Sequence, residues 1–405
     1  MSQGPWGFYE FFAGAGLARL GLGNRWTSLL ANEICEKKAH VYRMNFGASP
    51  ELIVDDVRNL TPEQFPPGAM LAWASFPCQD LSLAGNGLGL KGERSGTFVP
   101  FWNLMHALMK EGRGVPIVVV ENVAGTITSN GGRDFRAILE TMIATGYRVG
   151  PMVIDAVRFV PQSRPRLFIV AVRDGLRVPE TMVWDSPSHL WHSERLCTAH
   201  DALPDSIHLA WVWWRLAEPP PMKAALENVI EENPTDVVWH TEAETRRLLS
   251  LMSSTNLAKV RKARAYGRRI PGTIYKRMRT DETGSKVQRA EVRFDQISGC
   301  LRTPVGGSSR QTILIVEGDR TRSRLLSPRE AARLMGVPDT FKLPEKYNEA
   351  YHAMGDGLVV PAVAWLEEHL LWPLACAVGS PTPIVSGWPL EDRPRARAGN
   401  VLSFA

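Results

Sequence analysis

The strongest constraint on the fold is a series of short apolar runs, each of which stops at a turn, an acid or an amide. Phe8-Tyr9-Glu10-Phe11-Phe12 leads into Ala13-Gly14-Ala15-Gly16. Trp26 to Ala31 stops at Asn32-Glu33, and Leu52-Ile53-Val54 stops at Asp55-Asp56. Met70-Leu71-Ala72-Trp73-Ala74 runs into Ser75-Phe76-Pro77-Cys78, and Pro116-Ile117-Val118-Val119-Val120 into Glu121-Asn122-Val123. Short apolar runs without alternation read as strands buried on both faces. Two further runs, Val153-Ile154 and Leu167 to Val172, flank Pro161-Gln162-Ser163-Arg164-Pro165-Arg166. Strands alternating with helical patterns predict an α/β fold with a doubly wound sheet, whose ligands lie beyond the carboxyl ends of the strands.

The residues at those ends carry the chemistry. Strand, glycine turn and a helix from Leu17 open a nucleotide-binding unit, although glycine turns serve plain connections equally often. The spacing Gly14-x-Gly16 is shorter than the dinucleotide fingerprint and favours a smaller, adenosine-type ligand. Glu33 suits ribose hydroxyls, while Asp56 suits an adenine amino group or a helix N-cap. Pro77 ends the sheet ladder, so Cys78 is displayed on a loop; a lone cysteine is otherwise a small buried hydrophobe. A carboxylate such as Glu121 directly at the end of a buried strand is costly unless it is used or paired.

At 405 residues, one large domain and a smaller one are expected. The composition, 44% hydrophobic and 22% charged, is that of an ordinary globular protein with a sizeable core. The five cysteines are scattered without a CxxC pair, which argues against a zinc site or a disulfide framework and fits a reducing compartment. No apolar run reads as long enough to span a membrane, and the N-terminus lacks the features of a signal peptide. The net charge of +5 matters only where it is concentrated. From residue 176 to about 325 the alternation is lost and Trp, Pro, Arg and Gly become frequent. Between Lys259 and Arg279 the basic residues are interleaved with Tyr266 and Tyr275 and no acid occurs, which favours an anionic partner over a merely solvated face. Arg302 to Gln311 reads as an exposed loop suited to base edges and phosphates. Ser327-Pro328-Arg329-Glu330 starts a helix that runs to Gly336. Val359 to Leu371 is the last apolar helix, and the chain from Pro373 reads as a loose tail.

Taken together and in this order, the stretches resemble the cytosine-C5 DNA methyltransferases of prokaryotic or phage type. The resemblance rests on Phe12-Ala13-Gly14-Ala15-Gly16, Asn32-Glu33, Asp56-Val57, Phe76-Pro77-Cys78-Gln79, Glu121-Asn122-Val123 and Gln162-Ser163-Arg164-Pro165-Arg166. It continues through Arg329 to Gly336 and Met354-Gly355-Asp356, and covers residues 8–172 and 324–370. It implies a Rossmann-like S-adenosylmethionine-dependent sheet with a smaller, irregular target-recognition domain, and DNA between the two. The expected divisions are 1–175 (catalytic), 176–325 (target recognition), 326–372 (return to the catalytic domain) and 373–405 (tail).

Carbon 5 of cytosine is too weak a nucleophile to take a methyl group unaided; a thiolate adding at carbon 6 activates it. By resemblance Cys78 is that thiolate, Glu121 donates to N3, Arg166 contacts O2, Arg164 serves a neighbouring phosphate or the cysteine loop, and Gln162 belongs to the same catalytic set. Phe12, Ala13, Gly14, Gly16, Glu33, Ile34, Asp56, Val57, Pro77 and Asp356 are expected at the S-adenosylmethionine site, and no metal is expected. The DNA-binding candidates are Gln79, Ser82, Arg94, Arg268, Arg269, Lys276, Arg277, Arg302, Gly306, Gly307 and Arg310. Double-stranded DNA is the implied partner of a monomeric cytoplasmic enzyme, with a cognate restriction endonuclease as a candidate companion. Departures from the family pattern are Leu17 for a frequent glycine, Asp356 for a frequent asparagine, and Cys300-Leu301 for the usual Thr-Leu. An RNA-directed enzyme and a catalytically silent DNA-binding regulator are the competing readings.

Overall fold

The computed structural model describes residues 5–77, 95–280, 284–302 and 310–379. Strands β1 (Trp6–Phe11), β2 (Trp26–Glu33), β3 (Leu52–Val54), β4 (Ala69–Ala74), β5 (Ile117–Val123), β6 (Tyr147–Asp155) and β7 (Pro165–Arg173) form one sheet in the order β3-β2-β1-β4-β5-β7-β6. The first five are parallel; β7 inserts antiparallel between β5 and β6. Helices α1 (Leu17–Leu22), α2 (Glu36–Phe46), α3 (Phe98–Lys110) and α4 (Arg133–Ala144) alternate with the strands. The absence of alternation in Pro116–Val120 now has its reason. Val118 and Val120 pack with Phe101 and Trp102 of α3 and Leu139 of α4. Ile117 and Val119 face the other way, into a core shared with α1 and the C-terminal helices. A strand covered on both faces gains from every apolar side chain it carries.

The second region is more regular than its composition suggests. After a short pair, β8 (Val183–Trp184) and β9 (Trp213–Trp214), strands β10 (Arg269–Thr280), β11 (Lys286–Arg293), β12 (Thr312–Glu317) and β13 (Arg320–Leu325) form an antiparallel sheet ordered β11-β10-β12-β13. Ile270, Ile274, Val292, Leu314 and Val316 cover one face of it with Val260 and Ala263 from the helix Ser254–Ala265. Beyond Ile274 the strand β10 pairs with β11 alone, and this two-stranded ribbon carries the exposed Lys276, Arg277 and Arg279.

Two expected boundaries move. The tryptophans after residue 176 do not mark a separate domain but pack on the large sheet. Trp211 bridges to Val149, Trp214 donates from Nε1 to the Val170 carbonyl at 3.0 Å, and Trp191 donates to Leu216 at 2.8 Å. Burying the Trp191 and Trp214 indoles with their N–H groups satisfied, and packing Trp211 beside them, anchors residues 183–216 to the large sheet. The expected tail starts too early: Trp372–Gly379 is helical, because Leu374 and Ala375 are fully buried. The helical run Tyr347–Gly379 also has the length and mean hydropathy of a membrane-crossing segment, contrary to expectation, yet 56% of its apolar window is buried against the fold. The helix start at Ser327 is as read. Ser327 and Glu330 form a capping box, and Glu330 also pairs with the fully buried Arg324 of β13 at 2.6 Å.

Glu10, in the middle of β1, is buried among apolar neighbours, and neither carboxylate oxygen meets a donor in good hydrogen-bonding geometry. Burial pushes this carboxyl up to about 8, against the pull of the Arg19 backbone and charge. The folded state therefore binds a proton that the unfolded chain gives up near its ordinary value. Stability from this group is full below about pH 4.5 and is lost as pH rises to about 8. Glu10→Gln should remove that loss: its melting temperature relative to the native chain is expected to rise between pH 5 and pH 8.5, measured by calorimetry. A difference independent of pH would show that Glu10 does not titrate in this window.

Candidate active site

The glycine turn follows β1 directly and is held open at the carboxyl edge of the sheet. Phe12 adopts a φ of 57°, a left-handed conformation that costs an aromatic residue energy and commonly marks ligand sites. Gly14 has φ 58°, and a Cβ placed there would meet nothing within 4 Å, so the turn leaves space in front of it. Gly16 is glycine for a different reason: besides φ 79°, a Cβ would lie 2.4 Å from the Phe46 ring. Its need is one of packing. Glu33, at the end of β2, accepts from the Gly14 N–H and the Cys35 N–H, each at 2.8 Å. Each oxygen keeps a lone pair for a further donor. The neighbouring Ile34 side chain is 64% exposed, an apolar face beside the turn, and Ala13 is buried. Open space, an anchored carboxylate and an exposed apolar side chain fit an adenosine-type group.

Asp56 has a local role in the structure. It caps a short 3-10 turn through the Arg58 N–H at 2.9 Å and pairs with the Arg58 side chain at 3.0 Å; Val57 beside it is core. Its N-cap reading is therefore borne out locally. Asp356 pairs with Lys38 at 2.8 Å, joining α2 to the end of the helix Tyr347–Gly355.

The ends of β4 and β5 meet. Asn122 donates from its side chain to the Phe76 carbonyl at 3.1 Å, and its oxygen takes the Thr126 hydroxyl at 3.1 Å. This ties the Glu121-Asn122-Val123 end to Phe76-Pro77, the last described residues before Cys78. Cys78, Gln79, Ser82, Arg94, Gly306 and Gly307 lie outside the described residues. Glu121 is buried, with Arg166 Nε 3.3 Å from its carboxylate. Burial pushes the Glu121 carboxyl up, against the opposing charges of Arg166 and Arg164. A carboxyl raised in this way can hold or deliver a proton at the sheet edge.

Gln162 and Arg164, expected in the catalytic set, are instead buried connectors. The Gln162 amide donates to the Leu334 carbonyl at 2.7 Å and accepts from the Leu301 N–H at 3.1 Å, with no surface exposed. Arg164 donates to the carbonyls of Leu301, Gly355 and Gly357 at 3.0, 2.9 and 2.8 Å, and to the Cys300 sulfur at 3.2 Å. Both side chains point away from solvent because the segment between β6 and β7 is sandwiched by 298–301 and the C-terminal helices. Arg166, by contrast, is half-buried at the rim, where its side chain also approaches Cys300 at 3.9 Å.

Between the two sheets lies a cavity of about 390 Å³, lined by Lys259, Tyr275, Arg277, Arg293, Cys300 and Arg302, among others. Arg277, Arg302 and Lys259, the last as the start of the basic run, were legible as cationic candidates; Arg293 joins them only through the fold. Arg268 is exposed and 3.9 Å from Glu227, Arg269 opens β10, and Lys276 sits on the ribbon. Arg310 donates to Asn348 at 2.5 Å and lies over the Tyr347 ring, and it does not line the cavity. Glu291 interrupts the positive field, pairing with Arg279 at 2.5 Å.

Gln162→Ala strands the Leu301 N–H and the Leu334 carbonyl. It should cost about 2–5 kcal/mol in urea unfolding, since each buried orphan costs ~1–3 kcal/mol. Arg166→Ala should depress turnover, and because the buried Glu121 can take up a proton when its partner is lost, it should cost less stability than Gln162→Ala. Equal stability losses would contradict this division of roles.

The sequence profile of the C-5 cytosine-specific DNA methylases matches residues 7–372. Type II methyltransferase M.NgoBI of Neisseria gonorrhoeae is 28% identical over 87% of this chain and 89% of its own length. Type II methyltransferase M.HhaI of Haemophilus parahaemolyticus is 24% identical over 89% of this chain and 92% of its own. Among solved structures, the S. pombe Dnmt2 methyltransferase matches with a TM-score of 0.55 at 16% identity, over 91% of this chain and 99% of that one. The Entamoeba histolytica methyltransferase EhMeth matches at 0.59 and 13%, over 92% and 99%. At such identities the structures speak for the fold alone. The profile, which runs from β1 to the C-terminal helices, speaks for more: the chain belongs to the C-5 cytosine-specific DNA methylases.

Proposed function

We propose that this DNA (cytosine-5-)-methyltransferase modifies a cytosine within a short duplex sequence, swung out of the helix into the edge of the large sheet. The family is S-adenosylmethionine-dependent and its substrate is DNA. The observation that carries the reading is the Glu121–Arg166 pair, 3.3 Å apart, at the end of a strand tied through Asn122 to the residues preceding Cys78.

In this reading Cys78 is the nucleophile. Its thiolate adds to carbon 6, and the electrons displaced toward N3 and O2 make carbon 5 nucleophilic. Glu121, its carboxyl raised by burial, gives a proton to N3, and Arg166 donates to O2, so charge is met where it develops. S-adenosylmethionine, when bound, supplies the electrophilic methyl group. Loss of the carbon 5 proton to solvent then expels the thiolate, and N3 returns its proton to Glu121, so that ring and enzyme are both restored. Glu33, the turn at Gly14 and the apolar Ile34 hold the adenosine part; Asp56 and Asp356 contribute by shaping the pocket walls. Duplex stacking covers the faces of carbons 5 and 6, so the base must leave the helix.

Target recognition falls to the region of residues 217–325, with the β10–β11 ribbon and the cavity cations gripping phosphates. Binding should then weaken steeply with salt. A monomeric enzyme acting in the cytoplasm, in a restriction–modification system or alone, fits the scattered cysteines and the kind of relatives found.

The test uses mixed-sequence duplex DNA, tritiated S-adenosylmethionine and bisulfite mapping. The native chain is expected to place 5-methylcytosine at one short sequence. Cys78→Ala should make none, and Glu121→Ala should fall about 10²–10⁴-fold in kcat, the range of a lost proton donor. Full activity in Cys78→Ala would overturn the mechanism.

A further inference from the structure

Arg164 presents an electrostatic problem that its hydrogen bonds do not solve. The side chain is 3% exposed, and its guanidinium cannot lose its charge in a protein. A buried cation needs a counter-charge as well as acceptors. Among the described residues its guanidinium bonds three backbone carbonyls and one sulfur, and of these four groups the Cys300 thiol alone can become an anion.

Cys300 is built into this position. Gln162 holds the Leu301 N–H, and the Tyr275 hydroxyl donates to the Cys300 carbonyl at 3.1 Å. The sulfur thus sits between Arg164 Nη1 at 3.2 Å and Arg166 Nη2 at 3.9 Å, and it lines the cavity between the two sheets. The sequence resemblance places a threonine here, which cannot ionise in the accessible range.

We propose that Cys300 is a positioning residue that acts as the counter-ion of Arg164. As a thiolate it neutralises the buried guanidinium in the DNA-free enzyme, and on taking up a proton from solvent it frees the neighbouring Arg166 for the DNA. The inference rests on the reading of Arg166 and the cavity as part of the DNA site.

Arg164, Arg166 and Arg302 favour the anion, Tyr275 and Tyr351 face the sulfur, and Glu121 and Asp356 act on Arg164. Lys259, Arg277, Arg293 and the opposing Glu291 line the same cavity. Burial alone would push the thiol up, but Arg164, Arg166 and Arg302 together hold it below its ordinary value. A bound phosphate or base carbonyl competes with the thiolate for the Arg166 N–H groups. By linkage, DNA binding must then draw a proton onto the sulfur, and affinity must fall as pH rises through the thiol's titration. The limit for one proton is about tenfold per pH unit.

Two measurements test this with the full chain. The first needs no DNA: thiolate ultraviolet absorbance of the native protein minus that of Cys300→Ser, followed between pH 5 and 10. A midpoint below about 8.5, the value of a free cysteine, is expected; a midpoint at or above it overturns the proposal. The second is the Kd for duplex DNA by fluorescence anisotropy between pH 6.5 and 9, for the native chain, Cys300→Ser and Cys300→Thr. The native chain should weaken by about threefold or more relative to both variants across that range. The same pH slope in all three overturns the proposal. Cys300→Ser keeps an acceptor for Arg164, and Cys300→Thr guards against a fault in folding peculiar to serine. If no protein binds DNA at any pH while the absorbance midpoint is low, the counter-ion stands and the reading of the cavity as a DNA site fails.

Discussion

The short segment between β6 and β7 ties the large sheet to the chain at 298–301 and to the C-terminal helices, and the guanidinium of Arg164 is its centre. From the head of β7 it reaches the 300–301 backbone on one side and the 355–357 backbone on the other. Gln162 repeats the arrangement one turn earlier, binding Leu301 and Leu334. None of these contacts touches solvent, so each lost partner would leave a buried polar group unsatisfied. This is why Arg166, two residues further on, can stand at the rim with a defined direction. A rim arginine is placed by residues that are themselves buried.

The catalytic edge of the sheet was readable because strand ends announce themselves. Apolar runs stopping at Glu33, Glu121 and Pro77 mark the ends of buried strands, and the fold puts those ends along one edge. The Gln162-Ser163-Arg164-Pro165-Arg166 segment was legible as a unit but not in its division of labour. Residue type does not say which arginine is buried; that depends on what packs over it, here chain more than 130 residues away in sequence. Asp56 and Gly16 carried the same ambiguity and resolved toward N-cap and packing.

The region between the two catalytic segments was least legible. Its tryptophans looked like a change of domain, yet Trp191, Trp211 and Trp214 belong to the core of the large sheet. The run from Lys259 to Arg279 looked like one basic stretch. Half of it is a helix and half a strand, and the acid that tempers it, Glu291, comes from the neighbouring strand. Cross-strand pairing brings together charges that a linear reading keeps apart. Cys300 was noticed only as a departure from a pattern; its place between two arginines follows from the sheet-to-sheet contact.

The central claim is that Cys78 attacks carbon 6 while Glu121 and Arg166 receive the displaced charge. It is tested most directly by trapping the adduct. In duplex DNA whose target cytosine carries fluorine at carbon 5, the final proton loss is blocked, and with S-adenosylmethionine present the covalent complex should persist. Peptide mapping after proteolysis should then find the modified nucleotide on Cys78. A cross-link on Cys300 instead, or no cross-link from an enzyme that methylates unmodified DNA, would contradict the account.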